Sequence, residues 1–473
     1  MRAIRGIPSL APGIAPAHPT LGLLLPSNPL HHLLMAGLER PVVATSGNLS
    51  DEPICTDEHE ALERLGPLVD LLLVHNRPIA RHADDSIAWL LDGEPRLLRR
   101  ARGYAPAPVL LRTPAPLILG VGGHLKSSVA LAVERQVFIS QHIGDLDDPL
   151  ARNAFHQVID DLTRLYGAQP VVLAHDMHPD YYSTQVAQKF SQTATHAPTC
   201  SAIQHHHAHF AACLAEHQHT GQALGIIWDG TGYGLDGTIW GGEFLSGDCA
   251  HSQRMAYLRP FMLPGGEAAI REPWRVALAL LYELEGDALW QRNDLAPVRK
   301  LSAAQRPLLA TMLSRGVNSP RTSSAGRLFD GVAALLGLCQ QASYEGEAAM
   351  LLEYHADPHE TGSYPFTLDG PQLDWRPCVA AVREEQRRGI IPSLLSARFH
   401  NTMVAAMVAL AQQSPHEAVA LSGGCFQNRL LSTRASRCLR ASGKRVLMHR
   451  LVPPNDGGIS LGQVAAAAAR REG

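Results

Sequence analysis

Short apolar runs punctuated by turn residues fill the first part of the chain. LGLLLP, PVVATSGN, LVDLLLVHNRP and SIAWLLDG each end in a proline, glycine or asparagine signal, and one helical stretch falls at about Asp57 to Leu65. The alternation predicts a mixed α/β unit over residues 1–110. The proline-rich segment APAPVLLRTPAPL then interrupts the pattern, and a linker is expected at about Ala105 to Pro116.

Beyond it the pattern repeats itself. PLILGVGGHLKSSVALAVERQVFISQHIGDL reads as β-rich runs parted by a Gly-Gly turn and a polar turn, followed by an amphipathic helix from about Pro149 to Tyr166. ALGIIWDGTGYGLDGTIWGGEFLSGD restates the same order of strand, glycine turn and strand about a hundred residues later. Two such hairpin-led halves, at about 115–222 and 223–473, predict a duplicated α/β fold of the actin, hexokinase and Hsp70 type. Glu267 to Gln340 carries apolar spacing near the helical period, and two final segments, from EAVALSGG and from RVLMHRLV, read as strand, glycine turn and helix.

Composition narrows the setting. At 473 residues and 45% hydrophobic content the chain can bury a large core, and its length argues for more than one domain. A formal net charge of -3 gives no field to recruit nucleic acid or an anionic membrane, so neither is expected as a partner. The 8 cysteines show no CxxC pair, which fits a reducing cytoplasm and argues against a cysteine zinc finger. The N-terminus has no signal-peptide stretch, and no run of about 20 apolar residues is seen, so a cytoplasmic location is expected. Lysine is confined to Lys126, Lys189, Lys300 and Lys444, which makes the one inside a glycine turn notable.

The sharpest chemical signal is IQHHHAHFAACLAEH, with His205, His206, His207 and His209 opening a helical segment. A spacing of four puts His205 and His209 on one face, where both imidazoles can reach one metal ion. Imidazole suits iron, zinc or nickel, with oxygen ligands completing the shell. The bland alternative is a polar helix face. Asp229 in WDGTGYG and Asp456 in PPNDGGISLGQ could supply the oxygens, although Asp-Gly is as often an ordinary turn.

Three glycine turns, GVGGHLKSS, DGTGYG and LSGGCFQN, could cradle phosphates, with Lys126 adding a point charge and Gly230, Gly232, Gly423 and Gly424 leaving backbone N–H groups open. None fits a P-loop or a GxGxxG turn. Upstream, Ser46 and Asn48 occupy a turn in ATSGNLSDEP, and Arg99, Arg100 and Arg102 lie in LLRRARGYAP, where arginine forks could bind phosphate.

Taken together, QHHHAH, WDGTGYG with WGGE, YEGEAAMLLE, LSGGCFQNRLL and PPNDGGISLGQ resemble the carboxy-terminal domain of the HypF family, which is similar to the TsaD-type proteins that make threonylcarbamoyladenosine in tRNA. TSGNLSDEP, ADDSIAWLLDG and RRARGYAPAPV resemble the end of that family's YrdC-like domain. The resemblance implies a partial YrdC-like adenylation domain over 1–110 followed by an actin-like (ASKHA) carbamoyltransferase domain over 111–473. It implies an ATP-dependent enzyme of [NiFe]-hydrogenase maturation that turns carbamoyl phosphate and ATP into carbamoyl-adenylate. The carbamoyl group then passes to the C-terminal cysteine of HypE, as the precursor of the cyanide ligands on iron.

The expected cofactors are ATP, Mg2+ and one transition metal ion, iron or zinc. By motif, His205, His209, Asp229 and Asp456 would hold the metal. Lys126, Gly230, Gly232, Gly423, Gly424 and Asn428 would line the nucleotide site, and Ser46, Asn48, Arg100 and Arg102 the adenylation site. Lys126, His205 and His209 are the expected catalytic residues. Family members begin with an acylphosphatase domain and a CxxC zinc-finger region. Neither is expected here, nor the first half of the YrdC-like domain, so adenylation by this chain alone is expected to be weak. A small-molecule O-carbamoyltransferase, which places the YrdC-like part after the transfer domain, and a non-catalytic ATP-dependent scaffold are the competing readings.

Overall fold

The structure is a computed structural model that describes residues 13–15, 18–49, 52–193, 197–299 and 301–472. Helices α1 (Pro29–Leu38) and α2 (Glu58–Leu65) open it, each capped by a side chain, Asn28 and Asp57, that accepts backbone N–H bonds from the first turn. Of the four apolar runs expected as strands in this region, only the last forms one. Strands β1 (Ile87–Leu91) and β2 (Glu94–Arg99) pair as an antiparallel hairpin. The runs around Leu25, Val43 and Leu71 lie in no ladder among the described residues, and they stay exposed, Leu25 at 82% and Leu71 at 84%. A strand needs a partner, and apolar spacing alone does not supply one.

The expected linker is also absent. Residues Pro108–Gly120 form a single long strand, β3, antiparallel to β4 (Ala130–Ile139). The prolines are tolerated because the register shifts between Leu110 and Ala115 and again between Ala115 and Ile118, so Pro114 and Pro116 fall where the ladder is already interrupted. Helix α3 (Pro149–Leu165), strand β5 (Val172–Asp176), helix α4 (Tyr182–Thr193), strand β6 (Thr199–Ile203) and helix α5 (His205–Glu216) follow. The first sheet runs β4-β3-β5-β6, with β3, β5 and β6 parallel.

The second lobe restates that plan. Strands β7 (Ala223–Tyr233), β8 (Ile239–Gly247) and β9 (Ser252–Leu258) form an antiparallel meander. The short strands β10 (Phe261–Met262) and β11 (Arg321–Thr322) pair beside β8. Between and after them come helices α6 (Ala268–Arg271), α7 (Pro273–Glu285), α8 (Ala296–Arg299), α9 (Gln305–Arg315), α10 (Ala325–Leu335) and α11 (Glu347–His355). The hairpin β12 (Thr367–Asp369) and β13 (Gln372–Asp374) extends the sheet, and α12 (Arg376–Arg387) and α13 (Pro392–Gln413) cover it. Strand β14 (Ala418–Ser422), helix α14 (Arg429–Ala441), strand β15 (Arg445–Met448) and helix α15 (Ile459–Glu472) complete the chain. The segment β8-β7-β14-β15, one antiparallel and two parallel pairings, matches β4-β3-β5-β6 step for step.

The lobes do not follow the linear halves. Helix α15 crosses back to the first lobe, where Leu461, Val464 and Ala465 join Ile118, Ala132 and Val172 in one apolar cluster. Helix α13 is long and apolar enough to cross a membrane by length and composition, yet 67% of its apolar window is buried inside the fold. Its Phe399 and Met403 pack into the second lobe's main core with Phe329 and Trp375.

Candidate metal centre between the two lobes

Strand β6 ends at Ile203, and Gln204 caps the next helix by accepting the His207 N–H at 2.9 Å. That cap fixes the rotation of α5. Every residue from His205 to Ala215 is buried, so the four histidines are no polar surface face. His205 and His209 turn the same way, toward Asp229 in β7 and Asp456 just before α15. One ligand atom from each of these four side chains lies within 4.8 Å of all the others.

The distances define a pocket for one cation. His209 Nε2 stands 2.8 Å from Asp229 Oδ2 and 3.6 Å from Asp456 Oδ1, and His205 Nε2 stands 3.5 and 3.7 Å from the same atoms. His205 Nε2 is buried without a hydrogen-bond partner. Its other nitrogen, Nδ1, donates to Asp176 Oδ2 at 2.8 Å at the end of β5, which leaves the Nε2 lone pair free for a cation. An orphaned imidazole nitrogen facing two carboxylates fits a divalent ion with nitrogen and oxygen ligands. Burial opposes charge on His205, but Asp176 and Asp456 outweigh it and hold its pKa well above the usual histidine value. The site attracts positive charge.

The neighbouring histidines have other work. His207 bridges Ser252 Oγ at 2.8 Å and the Cys249 carbonyl at 3.1 Å. His206 packs near Trp240, and burial, followed by the charge of His205, keeps it neutral.

Glycines let the second lobe close on this cluster. A Cβ on Gly232 would stand 2.4 Å from His206 Cε1 and 2.8 Å from His205 Cδ2. Gly424 donates its N–H to Asp229 Oδ1 at 3.1 Å, and Gly230 donates to the same oxygen at 2.7 Å. Gly423, at φ 101, packs against the Trp228 carbonyl, where a side chain would collide. These glycines therefore aim Asp229, and the N–H groups of Gly230 and Gly424, expected to stand open, are taken by its carboxylate, as that of Gly423 is by the Pro454 carbonyl at 2.9 Å.

The other expected site residues are scattered more widely. Lys126, at φ 48 in the first glycine turn, pairs with Glu345 across the cleft, and Glu345, Asp456 and Asp145 together outweigh burial and keep its ammonium charged. A cavity of about 600 Å³ runs from Ser46 and Asn48, past Arg99 and Lys126, to Asn455 beside the metal cluster. Three of the expected ligands are engaged or placed otherwise. Arg100 lines this cavity, yet it is not an open phosphate fork, because all three of its nitrogens donate to carbonyls, of Leu451, Ile139, Tyr104 and Ala107, clasping the hairpin to both lobes. Asn428 is a helix cap, accepting the Leu431 N–H at 2.8 Å and lying 2.9 Å from His400 Nε2. Arg102, paired with Asp85 on the surface, lies outside the cavity wall. Missed in the sequence were Asp176, the last residue of β5 with no glycine after it, whereas Asp229 lies inside β7 at the break in its pairing between Trp228 and Gly232, and Arg327 in the first turn of α10.

A duplicated α/β fold with two lobes defines a protein of the actin-like class, and the buried two-histidine, two-carboxylate set between them is its candidate metal centre. Comparison with known proteins makes this specific. The family models described as "HypF Kae1-like domain" and "Carbamoyltransferase, Kae1-like Domain, second subdomain" match residues 113–216 and 225–463. A Sua5, YciO and YrdC model, described as "Telomere recombination", matches residues 3–101. The carbamoyltransferase HypF of Synechocystis sp. is 42% identical over 98% of this chain and 62% of its own length. A HypF homolog of Cupriavidus necator is 37% identical over 74% of this chain and 91% of its own. Full-length HypF crystallised in a phosphate- and nucleotide-bound form superposes with a TM-score of 0.92 at 40% identity, over 98% of this chain and 73% of that one. T. kodakarensis HypF gives 0.90 at 27%, over 98% and 62%. The chain belongs to the HypF family. It spans about three fifths of the length of the first curated relatives it matches, 62%, 61% and 63%.

Proposed function

We propose that this chain carries the carbamoyl-transfer step of hydrogenase maturation: it takes carbamoyl-adenylate, formed from carbamoyl phosphate and ATP, and passes the carbamoyl group to the C-terminal cysteine thiolate of HypE. The observation that carries this reading is the convergence of His205, His209, Asp229 and Asp456 within 4.8 Å in a member of a carbamoyltransferase family. In the transfer a carbon–sulfur bond forms, the bond from the carbamoyl carbon to the phosphate oxygen breaks, and AMP leaves. Iron or zinc, when bound by the four side chains, supplies a Lewis acid and a template for the nucleotide.

The chain's own residues do the rest. Asp176 holds His205 in the tautomer that offers Nε2 to the cation. Gly230 and Gly424 fix Asp229 through two backbone donors. Lys126, kept charged at the cavity wall, offers a counter-charge to phosphate, with Mg2+ as the partner of ATP. Ser46 and Asn48 lie at the far end of the same cavity, where the adenylation half of the reaction would sit.

Acceptor choice tests the proposal. With carbamoyl-adenylate supplied, the chain should modify a protein ending in cysteine and leave small hydroxyl compounds untouched. Transfer to hydroxyls with none to the thiol would overturn it.

A further inference from the structure

Helix α10 begins against the metal-ligand turn. Ser324 caps it, accepting the Arg327 N–H at 3.0 Å while its hydroxyl lies 2.8 and 2.6 Å from the carbonyl oxygens of Asp229 and Gly230. Gly326 brings the helix backbone onto Gly230, where a Cβ would stand 2.9 Å from the Gly230 Cα. The start of α10 is thus fixed to the residue that supplies Asp229.

The third residue of that helix is the wrong one for stability. After a serine cap, the position three residues on favours a glutamate, which returns a hydrogen bond to the cap and complements the positive end of the helix. Here it is Arg327, a cation at a positive helix end. It is buried, 4% exposed, and among the described residues its Nε and Nη1 have no hydrogen-bond partner. Only Nη2 is engaged, 3.1 Å from Asp330 Oδ2. Burial pushes the Asp330 carboxyl up to about 6 even with Arg327 beside it, and it meets only one of the three guanidinium nitrogens. A guanidinium left with two idle nitrogens in the interior is costly unless a ligand completes it.

We propose that Arg327, together with the N-terminus of α10, is an anion-binding element of the cleft that takes a phosphoryl oxygen of the bound nucleotide beside the Asp229–Gly230 turn. This rests on the nucleotide reading above and names a residue for it. The arginine neutralises negative charge next to the Asp229–Gly230 turn. A phosphate monoester anion would place acceptors on the two idle nitrogens and an anion at the helix end, relieving both unfavourable features at once.

The test is calorimetric titration of AMP and, separately, adenosine into the metal-loaded chain and its Arg327→Gln and Arg327→Lys variants, with melting temperature and metal content recorded for each. Loss of a charge-assisted bond should weaken AMP binding roughly tenfold to a hundredfold in Arg327→Gln while adenosine affinity stays within about twofold. Arg327→Lys, which keeps the charge, should recover part of the loss even if Arg327→Gln folds poorly. Equal weakening of AMP and adenosine would mark Arg327 as structural and overturn the assignment. So would unchanged AMP binding with slower carbamoyl transfer, which would place the arginine on the carbamoyl oxygen. Failure of the wild-type chain to bind AMP at all would overturn the nucleotide reading along with it.

Discussion

Asp176 Oδ2 lies 2.8 Å from His205 Nδ1, and the two side chains are 1% and 0% exposed. One comes from the first lobe's sheet and the other from the helix between the lobes, so the contact links the metal site to the scaffold. Asp176→Asn keeps the shape but removes the charge that orients and polarises the imidazole. Metal affinity should fall roughly tenfold to a hundredfold with the fold retained. Competition against a chelator of known affinity measures it, and an unaltered constant would reduce Asp176 to a packing residue.

The two histidines four residues apart should behave differently from His207, which lies between them. His205→Ala or His209→Ala should abolish tight metal binding, whereas His207→Ala, which breaks only contacts to Ser252 and Cys249, should retain it. Elemental analysis of the three purified variants decides. Full occupancy in His209→Ala would contradict the ligand assignment.

Gly232→Ala tests how tightly the second glycine turn closes. The added methyl would meet His206 and His205 at 2.4 and 2.8 Å, and neither ring has room to withdraw. Overpacking of this kind costs about 1–3 kcal/mol. Urea unfolding should report a loss in that range together with reduced metal content, and a variant as stable and as fully loaded as wild type would show that the turn is looser than described.

Acid should expose a different histidine. Burial lowers His400 from 6.5 to about 4, and its neutral form is set by contacts at 2.8 Å to the Ser396 carbonyl and 2.9 Å to Asn428. The unfolded chain binds a proton there below about 6.5 and the folded chain only near 4. Stability from this group is therefore complete above pH 6.5 and drains away as pH falls toward 4. His400→Gln should flatten the dependence of unfolding free energy on pH within that window. An unchanged slope would remove His400 from the acid sensitivity.

Much of this was legible from the sequence because it rests on local spacing. The interval from His205 to His209 and the two glycine-led meanders needed only helix and strand periods. What was hidden depends on partners. The proline-bearing β3 became a strand because its register shifts place Pro114 and Pro116 outside the ladder, and the runs near Leu25 and Leu71 did not because no strand meets them among the described residues. Arg100 and Asn428 have the right chemistry for ligands, but carbonyls and a helix end claim them first. Arg327 carried a readable signal, a cation where a capped helix favours an acid.

The central claim is that the His205, His209, Asp229 and Asp456 cluster serves carbamoyl transfer to a thiol. Intact-mass and peptide mass spectrometry of HypE tests it most directly, after incubation with carbamoyl phosphate, ATP, a source of carbamoyl-adenylate and either this chain or its His209→Ala variant. The account predicts one carbamoyl group on the C-terminal cysteine with the wild-type chain, and none with the variant or with an acceptor whose cysteine is replaced by serine. Equal modification by wild type and His209→Ala, or no modification when carbamoyl-adenylate is present, would contradict it.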